Sequence, residues 1–247
     1  MKFTIITVVF NNRFTIEDAI KSVLNQTGVD IEYIIIDGGS NDGTIEIINK
    51  YNNLISKFIS EFDSGIYDAM NKGIKHATGD IIGFLNSDDI FENNQVLSLI
   101  HDQLLHNKID GLYGDLVYVK KENIQEVIRE WKSKNYYNNF FEDGNVPPHP
   151  SLYLRKSVYD KIGGFNIDFK LASDYDFMLR VFKSQCFNII YLPKRFVRMR
   201  LGGATNQNFR NIYLGNLEIL KSWDLNNYKR PFLLMPKRLI KRLLQFL

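Results

Sequence analysis

The acidic residues of this chain fall into a pattern that can do chemistry. Asp88 and Asp89 close the run GFLNSDD, Asp174 and Asp176 stand in ASDYDFMLR, and Asp37, Glu61 and Asp63 each follow a further apolar run. Neighbouring carboxylates can hold a divalent cation through oxygen, and such a cation acts as a Lewis acid on a diphosphate that must leave. A separate carboxylate can take the proton from an attacking hydroxyl. Plainer uses exist for the same residues. Asp88-Asp89 can cap a helix after a strand, Asp174 or Asp176 can stabilise a helix N-terminus, and Asp68 and Lys72, at i and i+4, can form a surface ion pair. Asp174 and Asp176 lie about 200° apart on a helix and cannot share a face, so only one of them can serve a site.

The elements that would position these residues alternate. FTIITVVF (3–10), IEYIIID (31–37), ISKFISE (55–61) and IIGFLN (81–86) read as strands. Between them lie helices over about 16–26, one bearing Ile45, Ile47, Ile48 and Tyr51, and one over 66–77. Strands alternating with helices predict an α/β fold with a mixed, mostly parallel sheet flanked by helices, and ligands in such sheets bind beyond the carboxyl ends of the strands. Phe10-Asn11, Asp37, Glu61 with Asp63, and Ser87-Asp88-Asp89 occupy those ends. The second half is less regular. It offers strands at 112–119, about 126–131 and 188–193, a helix over 171–184, and a proline-fixed loop, PPHPSLYLR, carrying His149.

Taken in order, TIITVVFNN, IIIDGGSNDGT, YDAMNKGI, ATGDIIGFLNSDD and ASDYDFMLR resemble family-2 glycosyltransferases of the GT-A (Rossmann-like) fold, over roughly residues 1–205. The likeness is strongest to bacterial enzymes that build O-antigen, capsule or exopolysaccharide repeat units, and so to lipopolysaccharide biosynthesis. The resemblance implies an inverting, metal-dependent hexosyl- or N-acetylhexosaminyltransferase that moves a sugar from a nucleotide-sugar, a UDP-sugar, to a glycan acceptor on a polyprenyl diphosphate. It assigns Asp89, with Asp88, to a divalent metal, Mn²⁺ or Mg²⁺, with Asp89 favoured and Asp88 nearer the ribose or a second ligand; Asn86 stands where the family's DxD motif commonly has its first Asp. It assigns Asp174 as general base, although the preceding residue, often Glu, is Ser173. It gives Asp37 to the base, lets Phe10 pack on the base with Asn11 beside it, and sets Asp63 and Asp68, with Tyr67 and Asn71, near the ribose and diphosphate. His149 would meet a phosphate, the metal or the acceptor. Arg155 and a Gly202-Gly203 loop belong to the same likeness. A nucleotidyltransferase that forms nucleotide-sugars is disfavoured, because FNNRFT replaces a glycine-rich basic loop after the first strand. A silent nucleotide- or glycan-binding module stays open.

Composition agrees with a globular protein: 247 residues, 45% hydrophobic and 24% charged. The net charge of +3 is too small to argue for nucleic acid, and a single cysteine, Cys186, excludes a disulfide framework. The reading divides the chain into a domain over 1–205 (1–110 for the donor, 111–205 for the acceptor) and a helical extension over 206–247. The N-terminus is a poor signal peptide, and no run is long enough to span a bilayer. Residues 229–247, KRPFLLMPKRLIKRLLQFL, hold six basic residues and no acidic one. Leu239, Ile240, Leu243, Leu244 and Leu247 fall on one helical face, with Lys237, Arg238, Lys241, Arg242 and Gln245 opposite. This predicts a helix lying on anionic lipid, or else one docked on the body with solvated cations. The expected location is cytoplasmic, peripheral at the inner face of the cell membrane.

Overall fold

The computed structural model describes residues 1–202, 209–243 and 245. Its first half has the expected alternation: β1 (Lys2–Val9), α1 (Ile16–Leu24), β2 (Asp30–Asp37), α2 (Thr44–Asn49), β3 (Lys57–Ser60), α3 (Ile66–His76) and β4 (Ile81–Phe84). These strands lie side by side in the order β3-β2-β1-β4, and all three pairings are parallel. β1 shows why. Its side chains alternate between two buried layers, Phe3, Ile5 and Val9 toward the side of α1, and Ile6 and Val8 toward α3. A strand buried on both faces has no polar side to offer water, which is the parallel-sheet solution. α3 packs close on it: a Cβ at Gly73 would sit 2.5 Å from Ile6 Cγ2.

The second half adds β5 (Ile90–Phe91), α4 (Val96–His106), β6 (Gly111–Val119), β7 (Val127–Trp131), β8 (Leu152–Arg155), α5 (Lys156–Ile162), α6 (Ser173–Lys183) and β9 (Ile189–Arg200). The sheet continues β4-β8-β6-β9-β5, with β7 paired to β6. β8 runs antiparallel to both neighbours, while β6 and β9 are parallel, so the whole is a mixed sheet in which most paired residues belong to parallel pairs.

β9 runs to Arg200 rather than ending near 193. The extension carries Pro193 and three arginines, which conceal it in the sequence. The register breaks opposite Gly114, where Pro193 can sit without a ladder hydrogen bond, and each arginine finds a carboxylate: Arg195 with Glu130, Arg198 with Glu92, Arg200 with Asp18. The reading also passed over α4, β5, β8 and α5.

Two helices follow, α7 (Phe209–Leu225) and α8 (Leu234–Leu243). They share the core: Ile219, Trp223 and Leu234 are buried in one cluster with Phe177 and Phe182 of α6. Trp223 Nε1 donates to the Tyr175 hydroxyl (3.0 Å), and Asn226 Nδ2 to Asp176 (2.8 Å). No described helix is long and apolar enough to cross a membrane.

Candidate functional site

A cleft of about 1270 Å³ opens beyond the carboxyl ends of β1 and β4 and runs toward α6 and α8. Of the residues expected at a site, Phe10, Asp63, Asp88, His149 and Asp174 line it. Phe10 is well exposed, and Gly38 lies between it and Asp63: a Cβ there would meet Asp63 Oδ2 at 2.6 Å and the Phe10 ring at 3.4 Å. The missing side chain lets the Asp63 carboxylate pack against the Gly38 backbone beside the aromatic ring.

Other expected residues build the walls instead. Asp37 is fully buried, and its carboxylate accepts the backbone N–H groups of Gly39 and Ser40 and the Ser60 hydroxyl. The turn after β2 and Ser60 therefore account for its position. Asn11, at φ 49°, accepts the Asn41 N–H (2.9 Å) and gives its own to Ser40 Oγ (2.8 Å), fastening the loops after β1 and β2. Asp68 accepts the Ser64 N–H at the start of α3 and pairs with Lys72. Asn71 exchanges hydrogen bonds with the backbone of Phe165, and Arg155 Nε donates to the Ile109 carbonyl. Gly203 lies outside the described residues.

The carboxylate pair after β4 divides between core and cleft, and Asp88 rather than the favoured Asp89 lines the cleft. Asp89 is fully buried; it accepts Asn86 Nδ2 (2.9 Å) and the Arg200 N–H (3.1 Å), tying the β4 end to β9. Burial, then the neighbouring Asp88, push its carboxyl well above the usual carboxylate range. Asp88 faces the cleft, and burial raises its carboxyl too. Of the two, only Asp88 lines the cleft. Among the described residues no group of three or more His, Cys, Asp or Glu side chains is arranged to enclose a metal. One cleft carboxylate suits the other mode, in which a cation is shared between a single carboxylate, water and a diphosphate.

Asp174 and Asp176 also separate, as helical geometry requires. Asp176 is buried, bonded to Arg180 Nε (2.9 Å) and Asn226. Asp174, in the first turn of α6, faces the cleft and accepts the Tyr67 hydroxyl at 3.1 Å. Burial, and then the Asp174 charge, hold the Tyr67 phenol well above its ordinary pKa, so it stays a donor. His149 packs against Phe84 and Phe165, and burial lowers its pKa despite Asp174 nearby, which keeps the imidazole neutral. Glu218 of α7 accepts the backbone N–H groups of Lys170, Leu171 and Ala172, fixing the entry to α6.

The sequence matches the family model described as "Glycosyl transferase family 2" over residues 4–163. The chain belongs to that family. An uncharacterised glycosyltransferase of Mycobacterium tuberculosis is 33% identical over 181 residues, 72% of this transferase and 67% of the relative. A "PGL/p-HBAD biosynthesis glycosyltransferase" of Mycobacterium bovis is 28% identical, covering 77% and 73%. Staphylococcus aureus TarS (residues 1–349) in complex with UDP-GlcNAc superposes with a TM-score of 0.69 at 20% identity, over 89% of this transferase and 67% of that chain. A longer TarS chain is spanned over 40% of its length. The mannosyltransferase PcManGT of Pyrobaculum calidifontis, in complex with GDP-Man and Mn²⁺, gives 0.65 at 15% identity, over 99% and 69%. The fold of the transferase is GT-A.

Sequence reasoning missed one wall of the transferase's cleft. The basic face of α8 was expected to meet lipid or solvent; instead Lys237 pairs with Asp143 (2.8 Å), and Arg238, Lys241 and Arg242 line the cleft. The α8 backbone reaches this position because residue 144 is glycine: a Cβ there would meet the Arg238 nitrogen at 2.7 Å, and its φ is +78°. Phe232, Leu233, Leu239, Ile240 and Leu243 are left exposed; Leu244 and Leu247 lie outside the described residues. The amphipathic pattern was visible in the sequence, but not which face turns inward.

Proposed function

We propose that the transferase moves a sugar, with inversion, from a nucleoside diphosphate-sugar to a hydroxyl of a lipid-linked glycan acceptor. The observation that carries this reading is that Asp88, from the end of β4, and Asp174, from the start of α6, face one cleft. UDP is the favoured nucleotide, because TarS, a neighbour in fold, is found with UDP and with UDP-GlcNAc. The base would pack on the exposed Phe10 ring, with Asp63 beside it.

Asp174 accepts the proton of the acceptor hydroxyl as its oxygen attacks the anomeric carbon. The bond from that carbon to the diphosphate oxygen breaks, and a single displacement inverts the centre. Tyr67 holds the carboxylate in place through its hydroxyl. Asp88 would hold a divalent cation, Mn²⁺ or Mg²⁺, that neutralises the leaving diphosphate. His149, neutral and buried at the rim, offers a ring nitrogen to acceptor or phosphate. The exposed apolar edge of α8 would rest on the membrane carrying the acceptor, consistent with a peripheral protein of surface-polysaccharide assembly.

The test is a panel of UDP-sugars with Mn²⁺, followed by thermal stabilisation and by release of UDP. Stabilisation by a UDP-sugar, with slow hydrolysis lost in Asp88→Ala, is expected. A transferase indifferent to every nucleotide-sugar would sink the proposal.

A further inference from the structure

Cations line the α8 side of the cleft. Arg238 and Arg242 lie one helical turn apart on the same face, about 6 Å along the axis, with Lys241 beside them. Opposite stand Arg129 of β7, 6% exposed, and Lys134. These groups repel one another. Burial first, and then Arg242, lower the pKa of Arg129; burial, and then Lys241, lower that of Lys134. Arg238 lies 4.8 Å from the centre of the Tyr175 ring, next in sequence to Asp174, and its Nη1 is buried without a hydrogen-bond partner. Asp174 beside Arg238 and Asp143 beside Lys134 offset part of this charge, and the excess of partly desolvated cations favours a further anion among them.

We infer that α8 and β7 form an anion subsite for the phosphate head of a lipid, which carries the acceptor sugar toward Asp174. The inference rests on the transferase reading and adds the chemistry of the acceptor's carrier. Two features favour a lipid phosphate over the donor's diphosphate. These cations all come from the C-terminal half, whereas the exposed Phe10 ring and the Asp88 carboxylate come from the N-terminal half. The cations are also edged by apolar surface: Leu239 lines the cleft and is 60% exposed, with Leu243, 59% exposed, one turn on. A phosphate with a hydrocarbon chain matches both the cations and that edge; a nucleotide matches only the cations.

The experiment is calorimetry on the whole transferase with farnesyl diphosphate, inorganic pyrophosphate and UDP–Mn²⁺ as probes. Farnesyl diphosphate should bind while UDP–Mn²⁺ saturates its own site, and at least about tenfold more tightly than pyrophosphate, from the added apolar burial. Arg238→Gln with Arg242→Gln should weaken it by about tenfold or more while UDP affinity changes less than about twofold. Arg238→Lys with Arg242→Lys, which keeps the charge, should lose less. Displacement of farnesyl diphosphate by UDP would overturn the inference and give the cations to the donor. Equal binding of pyrophosphate would remove the lipid from it, and an unchanged affinity in the Gln variant would remove α8. Absence of UDP binding would instead count against the transferase reading, so the two failures can be told apart.

Discussion

The hydroxyl of Tyr67 donates to Oδ1 of Asp174 at 3.1 Å across 107 residues of sequence. It joins the helix after β3 to the helix that starts the second carboxylate pair, and it fixes a carboxylate that would otherwise rotate freely. Under the proposed mechanism this bond orients the base, so Tyr67→Phe should lower kcat by about tenfold and leave the donor KM unchanged. Asp174→Asn should cost about 10²-fold or more in transfer while UDP-sugar binding survives. Steady-state kinetics with calorimetry would separate the two; equal losses in KM would point to a binding role for both.

Asp88 and Asp89 should respond differently to replacement. Asp88→Ala should abolish Mn²⁺-dependent turnover with little loss of stability, since its carboxylate faces the cleft. Asp89→Ala strands the Asn86 amide and the Arg200 N–H inside the protein and should cost about 2–4 kcal/mol of stability. Urea unfolding beside metal-titrated turnover gives both readings; a stable, inactive Asp89→Ala protein would restore the original preference.

Glu218→Ala should destabilise the transferase by about 2–3 kcal/mol, because three backbone N–H groups lose one charged acceptor. Hydrogen exchange should rise at residues 170–172. A loss of stability without faster exchange there would show that Glu218 acts elsewhere.

Stability should also depend on acid through Glu32. Burial alone would raise this carboxyl, but hydrogen bonds from the Thr4 and Thr78 hydroxyls, the Thr78 N–H and Lys2 outweigh it and lower its pKa to about 2. A folded pKa below the unfolded 4.5 adds stability that is complete above pH 4.5 and disappears as the pH falls toward 2. The contribution is on the order of 2 kcal/mol. In Glu32→Gln the melting temperature should change less between pH 6 and pH 3 than in the unaltered protein; parallel profiles would refute the assignment.

The apolar edge of α8 gives a further outcome. Changing Phe232, Ile240 and Leu243 to Ser should reduce sedimentation with anionic vesicles and leave melting nearly unchanged, because all three are exposed. Equal partition of both proteins would place the membrane contact elsewhere or nowhere. These point changes are preferable to removal of residues 229–247, which would also take away buried Leu234 and one wall of the cleft.

Much of this was written in local pattern. Runs such as FTIITVVF and IEYIIID are apolar on both faces, and that is enough to call for a parallel sheet with helices on either side and ligands at the strand ends. The 200° between Asp174 and Asp176 already required one of them to turn away. β9 beyond Pro193 could not be read in the same way, because its arginines look solvated until Glu130, Glu92 and Asp18 arrive from distant segments.

The sequence by itself determined which residue types gather at the strand ends, the family they belong to, and the amphipathic helical pattern that α8 carries. Only the tertiary structure decided which member of each pair faces the cleft: Asp88 rather than Asp89, Asp174 rather than Asp176, and the basic edge of α8 with Leu239 beside it. The physical reason is that periodicity fixes which side chains share a face, whereas the direction a face turns depends on what packs against it. For α8 that is Leu234 in the core, Lys237 on Asp143, and the close approach that Gly144 permits.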